Sequence, residues 1–479
     1  MLRPTAGGWL LFAFVLVVKS ILVIFASRCQ YYSIICAGCR CRQCKVESPH
    51  ELTHVLHSVL SQLPVDTVSR ILTTLTTIFL IFLALATLGG LVWGNTRYAH
   101  DHPGETDFFV PWLAARTFLQ YGDSPYSYPV AERAQVIYYG RMAAEGQDPL
   151  RLSVPFPVEL FYFPFALVSD YALARGLWMT CLEIGLVSLA FLSLRLTGWN
   201  PARTLLPIVL IFSALWVYGF LPLTGSSAVI FVAPAVVGLL LALRDGRDEL
   251  AGALLVIPFF KLEIAGLFFL LILWWAIYHR RSRLLAGFLM TLAILLAFSF
   301  FILLNWFMPF VSGWISHITY HPGLTPGGIL AFWWPVFGPR LGWLLTALML
   351  VVLFIEWRDI RRKDFRHLLW TASLTLAGTP LLGLPVAPQD YVLLFFPLIL
   401  FLSVMAERWS RPRRWGVPGI LLLIIFFVLW FATAGLTLAG DSASTDSLTL
   451  AFSILLVLGL YWMRWWAVRP PRTWSDSLP

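Results

Sequence analysis

Charge is scarce in this chain: Asp, Glu, Lys and Arg supply 12% of its 479 residues, about half the roughly 25% of soluble domains. So low a share excludes an ordinary soluble enzyme. It also excludes a nucleic-acid partner, which would need the net charge of +9 spread over a soluble domain. No glycine-rich nucleotide loop is present, which argues against an enzyme fed by soluble nucleotide sugars in the cytoplasm. There is no Ser-His-Asp set, no low-complexity tract and no internal repeat. Cysteine is nearly confined to one stretch, where five of the six fall as Cys29, Cys36, Cys39, Cys41 and Cys44.

What the chain has in abundance is apolar residues, at 59% with a mean hydropathy of +0.79. They come in blocks long enough to span hydrocarbon, which takes about 20 helical residues. The blocks fall near 8–27, 71–94, 172–196, 204–221, 226–243, 249–278, 284–305, 341–357, 368–386, 389–406, 417–437 and 448–466. Segments in lipid must satisfy their own backbone groups, and runs this long do so as helices rather than as alternating barrel strands. The expected fold is an all-α polytopic membrane protein.

Short cytoplasmic loops hold an excess of Lys and Arg. Basic clusters occur at Arg28 to Lys45, Arg244 and Arg247, Arg280 to Arg283, Arg358 to Arg366, Arg408 to Arg414 and Arg464 to Arg472. All lie on one side only if 249–278 enters and leaves on the same face, so this block is expected to be a hairpin broken near Pro258 and Lys261. Two long polar segments, 95–171 and 306–340, then fall on the other side. The first carries nine acidic residues against five arginines, unlike a cytoplasmic loop. Both are rich in aromatics, among them Trp112, Tyr121, Tyr126, Tyr138, Tyr162, Trp306, Trp314, Tyr320, Trp333 and Trp334, which suit interfacial anchoring or sugar stacking. Long loops are often functional, and this face is expected to be the working one.

Asp107 stands out in Gly104-Glu105-Thr106-Asp107-Phe108-Phe109, a short stretch after the 71–94 block. A carboxylate held against apolar neighbours at the membrane edge is partly desolvated and suited to accept a proton. Beyond it come Ala114, Ala115 and Arg116, then Gly122-Asp123-Ser124-Pro125-Tyr126, a stretch around Gln135, and Phe161-Tyr162-Phe163-Pro164 leading to Trp178. This order resembles the first outward loop of the polyprenol-phosphate-dependent glycosyltransferases of family 87, in the membrane-embedded GT-C class, which includes mycobacterial mannosyltransferases. The likeness covers about 71–466 in layout and is specific from Asp107 to Pro164. Two places depart from the family pattern: Thr224-Gly225-Ser226-Ser227 stands where Gly-Gln is common, and Lys261-Leu262 where Lys-Pro is common.

The resemblance implies a GT-C-type bundle of about 12–13 transmembrane helices over 71–479, with juxtamembrane helices in its first outward loop. It also implies transfer of mannose or a similar sugar from a polyprenyl-phosphate donor to a lipid or glycan acceptor, at the outward face of the plasma membrane. Asp107 takes the role of general base, and a single displacement gives inversion. The leaving phosphate needs cations, which are expensive at membrane depth unless functional. Lys261 fits that need, with Arg116 and Arg340 as helpers. Tyr126, His317, His321 and Asp390 are candidates to line the substrate cavity, and the scheme requires neither metal nor cofactor. The rival readings are a transporter or flippase of lipid-linked sugars, disfavoured by the single helix break and unmatched halves, and a surface-polysaccharide ligase or polymerase, which would favour a late large loop.

Several further residues have alternative readings. His317 and His321 are four apart, a spacing that puts two imidazoles on one helix face where they can bind a metal. Pro322 and Gly323 end any helix there, however, and no third ligand is evident in the sequence. Glu183, and Glu263 beside Lys261, suit pairing within the bundle. Residues 1–70 form an extension with one hydrophobic helix, read as an uncleaved signal-like segment or as a start upstream of a functional one near residue 66. Cys36-x-x-Cys39 and Cys41-x-x-Cys44, followed by His54 and His57, suggest zinc but are joined more closely than a usual zinc cage, so palmitoylated or free thiols are the favoured reading over zinc.

Overall fold

The computed structural model describes residues 65–104, 107–321, 323–408 and 416–468. The expected helix at 8–27 and the cysteine-rich segment lie outside these residues. The chain divides into two compact units, one through His102 and one from Pro103 onward. In the first, α1 (Val65–Asp101) is a single 37-residue helix, whose apolar part, Thr76–Asp101, is long enough to cross a bilayer.

The second unit opens with short helices: α2 (Phe109–Tyr121), α3 (Tyr128–Tyr139), α4 (Phe156–Glu159) and α5 (Phe163–Ala166). They are followed by α6 (Tyr171–Thr197), whose first turn is capped by the Asp170 carboxylate accepting from the Ala172 N–H. Next come α7 (Leu205–Leu215), α8 (Val217–Thr224), α9 (Val229–Arg244), α10 (Asp248–Phe259), α11 (Leu262–Tyr278) and α12 (Ser282–Ile302). A second group of loop helices, α13 (Phe307–Tyr320) and α14 (Pro326–Trp333), leads to α15 (Gly338–Asp359), α16 (Phe365–Gly378), α17 (Phe395–Arg408), α18 (Gly416–Leu438), α19 (Ser442–Trp462) and α20 (Arg464–Val468). A 3-10 segment, Pro388–Leu394, precedes α17.

The protein is an all-α, multi-pass membrane protein. Among the described residues seven helices are long and apolar enough to cross a membrane, or eight if the bent pair α7 and α8 is one span. This is fewer than the dozen hydrophobic blocks, because the 8–27 block lies outside the described residues and others form shorter or broken helices. The 226–243 block is the 16-residue α9, 249–278 divides into helices of 12 and 17 residues, and 368–386 yields the 14-residue α16. Phe301, Trp343, Phe431 and Leu438 are exposed, as expected where hydrocarbon is the solvent. Some buried hydroxyls are satisfied within their own helix, Ser373 donating to the Leu369 carbonyl and Thr375 to that of Thr371.

The hairpin α10–α11 has both ends side by side, since Arg281 Nη1 lies 3.1 Å from Asp248 Oδ2. Its tip is Phe260-Lys261. Twelve residues of helix, about 18 Å at 1.5 Å per residue, separate Lys261 from the start of the hairpin at Asp248. At that arginine-rich end Arg244 donates to the carbonyls of Arg195 and Leu196, Arg366 meets Glu407, and Arg464 meets Glu356. The hairpin packs on α12 through two glycines. A Cβ at Gly252 would stand 2.1 Å from the Leu284 carbonyl oxygen and one at Gly287 2.5 Å from that of Glu249. Small residues are what allow such backbone approach in membrane helices.

Candidate functional site at the hairpin tip

The Asp-Phe pair that begins the first loop is split by its surroundings. Phe108 is fully buried, its ring 5.3 Å from that of Trp178 and 5.9 Å from that of Tyr162. Asp107 is exposed. The partial desolvation expected for Asp107 therefore falls on its neighbour: seating Phe108 among aromatics leaves the preceding side chain outside. The Asp107 backbone is nevertheless fixed, because its N–H donates to the Gly225 carbonyl at 3.0 Å.

Gly225 belongs to the Thr224-Gly225-Ser226-Ser227 turn, which is held by groups from α6. Arg175 is fully buried; its Nε donates to Ser226 Oγ at 3.0 Å and its Nη2 to the Thr224 carbonyl at 2.7 Å. Trp178 Nε1 donates to the Ser226 carbonyl at 2.9 Å. These contacts keep Ser226 in a left-handed conformation, with φ of 57°, that non-glycine residues adopt at a cost. In the sequence Arg175 is marked only as an arginine within an apolar block, where charge is usually functional or paired.

Lys261 sits at the hairpin break, with Nζ 3.8 Å from Asp390 Oδ1. Asp390 is buried in the 3-10 segment, and its Oδ2 accepts from the Ala387 N–H at 2.9 Å. Asp390, then Glu263 and Asp107, are the acids whose charge acts on Lys261. Glu263 Oε1 accepts from Trp314 Nε1 at 3.1 Å, which ties the hairpin to α13. Gln389, beside Asp390, reaches the turn at Gly225. Asp107, Lys261 and Asp390 are thus brought into one polar group by four separate stretches of chain, counting the 224–227 turn.

His317 and His321 also reach this group. Their rings stack with centroids 4.7 Å apart. Partial desolvation, followed by the neighbouring His321 and Lys261, lowers His317 from the ordinary histidine value, with Asp107 and Asp148 acting in the opposite sense. The α13–α14 connection is fastened to the Asp390 region, Leu324 N–H donating to the Val386 carbonyl at 2.8 Å.

Three nominated residues stand elsewhere. Arg116 donates to the Ala166 carbonyl at 3.1 Å and lies over the Trp112 ring, strapping α2 to the end of the loop. Arg340 is exposed in the first turn of α15. Neither is among the charges that act on Lys261 or His317. Tyr126 donates to the Val154 carbonyl at 2.7 Å and packs on the loop core of Ala114, Val130 and Leu152. Burial pushes its phenol above the ordinary value, which suits a structural hydroxyl. Comparison of the chain with protein-family models, with characterised proteins and with solved structures finds no match.

Proposed function

We propose that the protein is an inverting membrane glycosyltransferase that moves a sugar, mannose or a related one, from a polyprenyl-phosphate donor to a lipid or glycan acceptor. In this reading the layout is of GT-C type and the polar group at the hairpin tip faces outward from the plasma membrane. The observation that carries the reading is the pairing of an exposed carboxylate on a fixed backbone, Asp107, with a lysine at the break of a membrane hairpin, Lys261, within electrostatic reach of each other. Asp107 removes the proton of the acceptor hydroxyl, which attacks the anomeric carbon from the face opposite the phosphate. Lys261 stabilises the charge that grows on the leaving phosphate. Asp390 and Glu263 hold the ammonium in place, and exposed aromatics such as Tyr121 and Tyr128 offer faces for sugar rings.

One observation favours a second reading, transport of a lipid-linked sugar. The chain has a second break besides Lys261, at Trp216, where α7 and α8 meet at 46°, and discontinuous helices are common in transporters. Reconstituted vesicles with labelled polyprenyl-phosphate sugar on one side and acceptor present separate the two. A transferase yields labelled acceptor and free polyprenyl phosphate; a transporter moves the donor across unchanged.

A further inference from the structure

Two imidazoles and a carboxylate that the transfer scheme leaves unused converge beside the site. His317 and His321 come from the end of α13, and Asp148 comes from the first loop, 3.7 Å from His321 Nδ1 through its Oδ2. One ligand atom from each residue can be chosen so that all lie within 4.8 Å of one another. Nitrogen and oxygen ligands around zinc stand at about 2.0–2.2 Å, which places them about 3.3 Å apart in a tetrahedral site. Closing that gap requires the two rings and the carboxylate to turn about their side-chain bonds.

The loop is constructed so that Asp148 offers one oxygen. Its Oδ1 accepts from the Leu150 N–H at 2.9 Å, and its carbonyl accepts from Tyr139 Oη at 3.1 Å. The next carbonyl, of Pro149, accepts from the buried Gln135 side chain at 2.8 Å. Leu150 is left-handed, with φ of 48°, a conformation leucine rarely adopts. Oδ2 is the oxygen turned to the histidines. The helix can approach this loop because residue 313 is glycine: a Cβ there would lie 2.2 Å from the Leu152 carbonyl oxygen. Gly313 is one turn before His317, on the same face of α13. Outer contacts that orient a ligand in this way are typical of metal sites.

We propose that Asp148, His317 and His321 bind a divalent transition-metal ion of the zinc type. Two imidazoles and one carboxylate are a nitrogen-rich set, suited to zinc rather than to calcium or magnesium, which prefer oxygen. Three protein ligands leave one coordination position for an exchangeable oxygen ligand. The binding does not depend on the transferase reading and is measured without turnover.

The test uses the full-length protein in detergent, with Cys29, Cys36, Cys39, Cys41 and Cys44 replaced by serine to remove the thiols of the first segment. After chelator stripping and dialysis, Zn²⁺ is titrated in competition with a chromophoric chelator, and Co²⁺ binding is followed by absorption. One tight Zn²⁺ per chain is expected, with Asp148→Asn and His321→Ala each weakening it at least tenfold. Co²⁺ should give ligand-field bands without thiolate charge transfer. Equal Zn²⁺ affinity in the parent and both variants overturns the site. So does a parent protein that binds no Zn²⁺ and shows no Co²⁺ bands, which reduces Asp148 and His321 to an ion pair. If the variants fail to fold, protection of His321 in the parent from diethyl pyrocarbonate by Zn²⁺, read by mass spectrometry, locates the ion, and equal modification with and without Zn²⁺ overturns the site.

Discussion

The Asp107 N–H donates to the Gly225 carbonyl at 3.0 Å, joining the start of the first loop to the turn after α8. The exposed carboxylate at 107 therefore takes its position from a turn more than a hundred positions later, which Arg175 and Trp178 hold in place.

Ser226→Ala removes the Oγ that accepts from buried Arg175 and leaves a left-handed residue without that bond. The expected loss is about 1–3 kcal/mol, the usual range for a buried charged donor left short of a partner. Ser226→Gly loses the same bond but relieves the positive φ, so it should be the less destabilised of the two. Thermal unfolding in detergent orders them, and an equal loss in both variants contradicts the role given to the backbone conformation.

Lys261→Met leaves the buried Asp390 carboxylate without its cation. Because Lys261 is itself partly exposed, the expected destabilisation is discounted to about 1–3 kcal/mol. Adding Asp390→Asn should recover part of it, and a double-mutant cycle measures the coupling. Sugar transfer should stay at least about 100-fold below wild type in both, since the phosphate still lacks its cation. Transfer restored in the double variant would show that Lys261 serves only to neutralise Asp390.

Glu159 should give stability a distinct pH dependence. Glu159 is fully buried and neither carboxyl oxygen has a hydrogen-bond partner, so burial pushes its carboxyl well above the ordinary value of 4.5. The folded chain holds this proton more tightly than the unfolded chain, so the contribution is full below pH 4.5 and is lost as pH rises through the raised value. The unfolding temperature of wild type should fall as pH rises above 4.5 more steeply than that of Glu159→Gln. Parallel curves contradict the assignment.

Gly252→Ala brings a Cβ against the Leu284 carbonyl and should force α10 from α12 at a cost of about 1–3 kcal/mol. Gly266→Ala, in α11 of the same hairpin, meets only the Leu262 side chain at ordinary contact distance and should be nearly neutral. Unfolding temperatures that do not differ between the two would remove the close-approach argument.

Hydropathy made the membrane class legible, and the arginine clusters required the 249–278 hairpin whose ends Asp248 and Arg281 join. Lys261 was conspicuous for the same reason, as a lone cation at a break in apolar sequence. The positions of Arg116, Arg340 and Tyr126 could not be read in this way, because composition reports that a charge or hydroxyl exists and not which carbonyl takes it. The third ligand beside His317 and His321 was hidden for a related reason: Asp148 comes from another loop, and local spacing registers only partners within a helix turn or two. The second break, at Trp216, was hidden because the sequence stays apolar through it.

The most direct measurement is single-turnover transfer of labelled sugar from a polyprenyl-phosphate donor by wild type and Asp107→Asn, with donor binding measured in the same preparations. With Asp107 as general base, binding should be retained while transfer falls by about 10²–10⁴-fold. Transfer at the wild-type rate in Asp107→Asn would contradict the central claim.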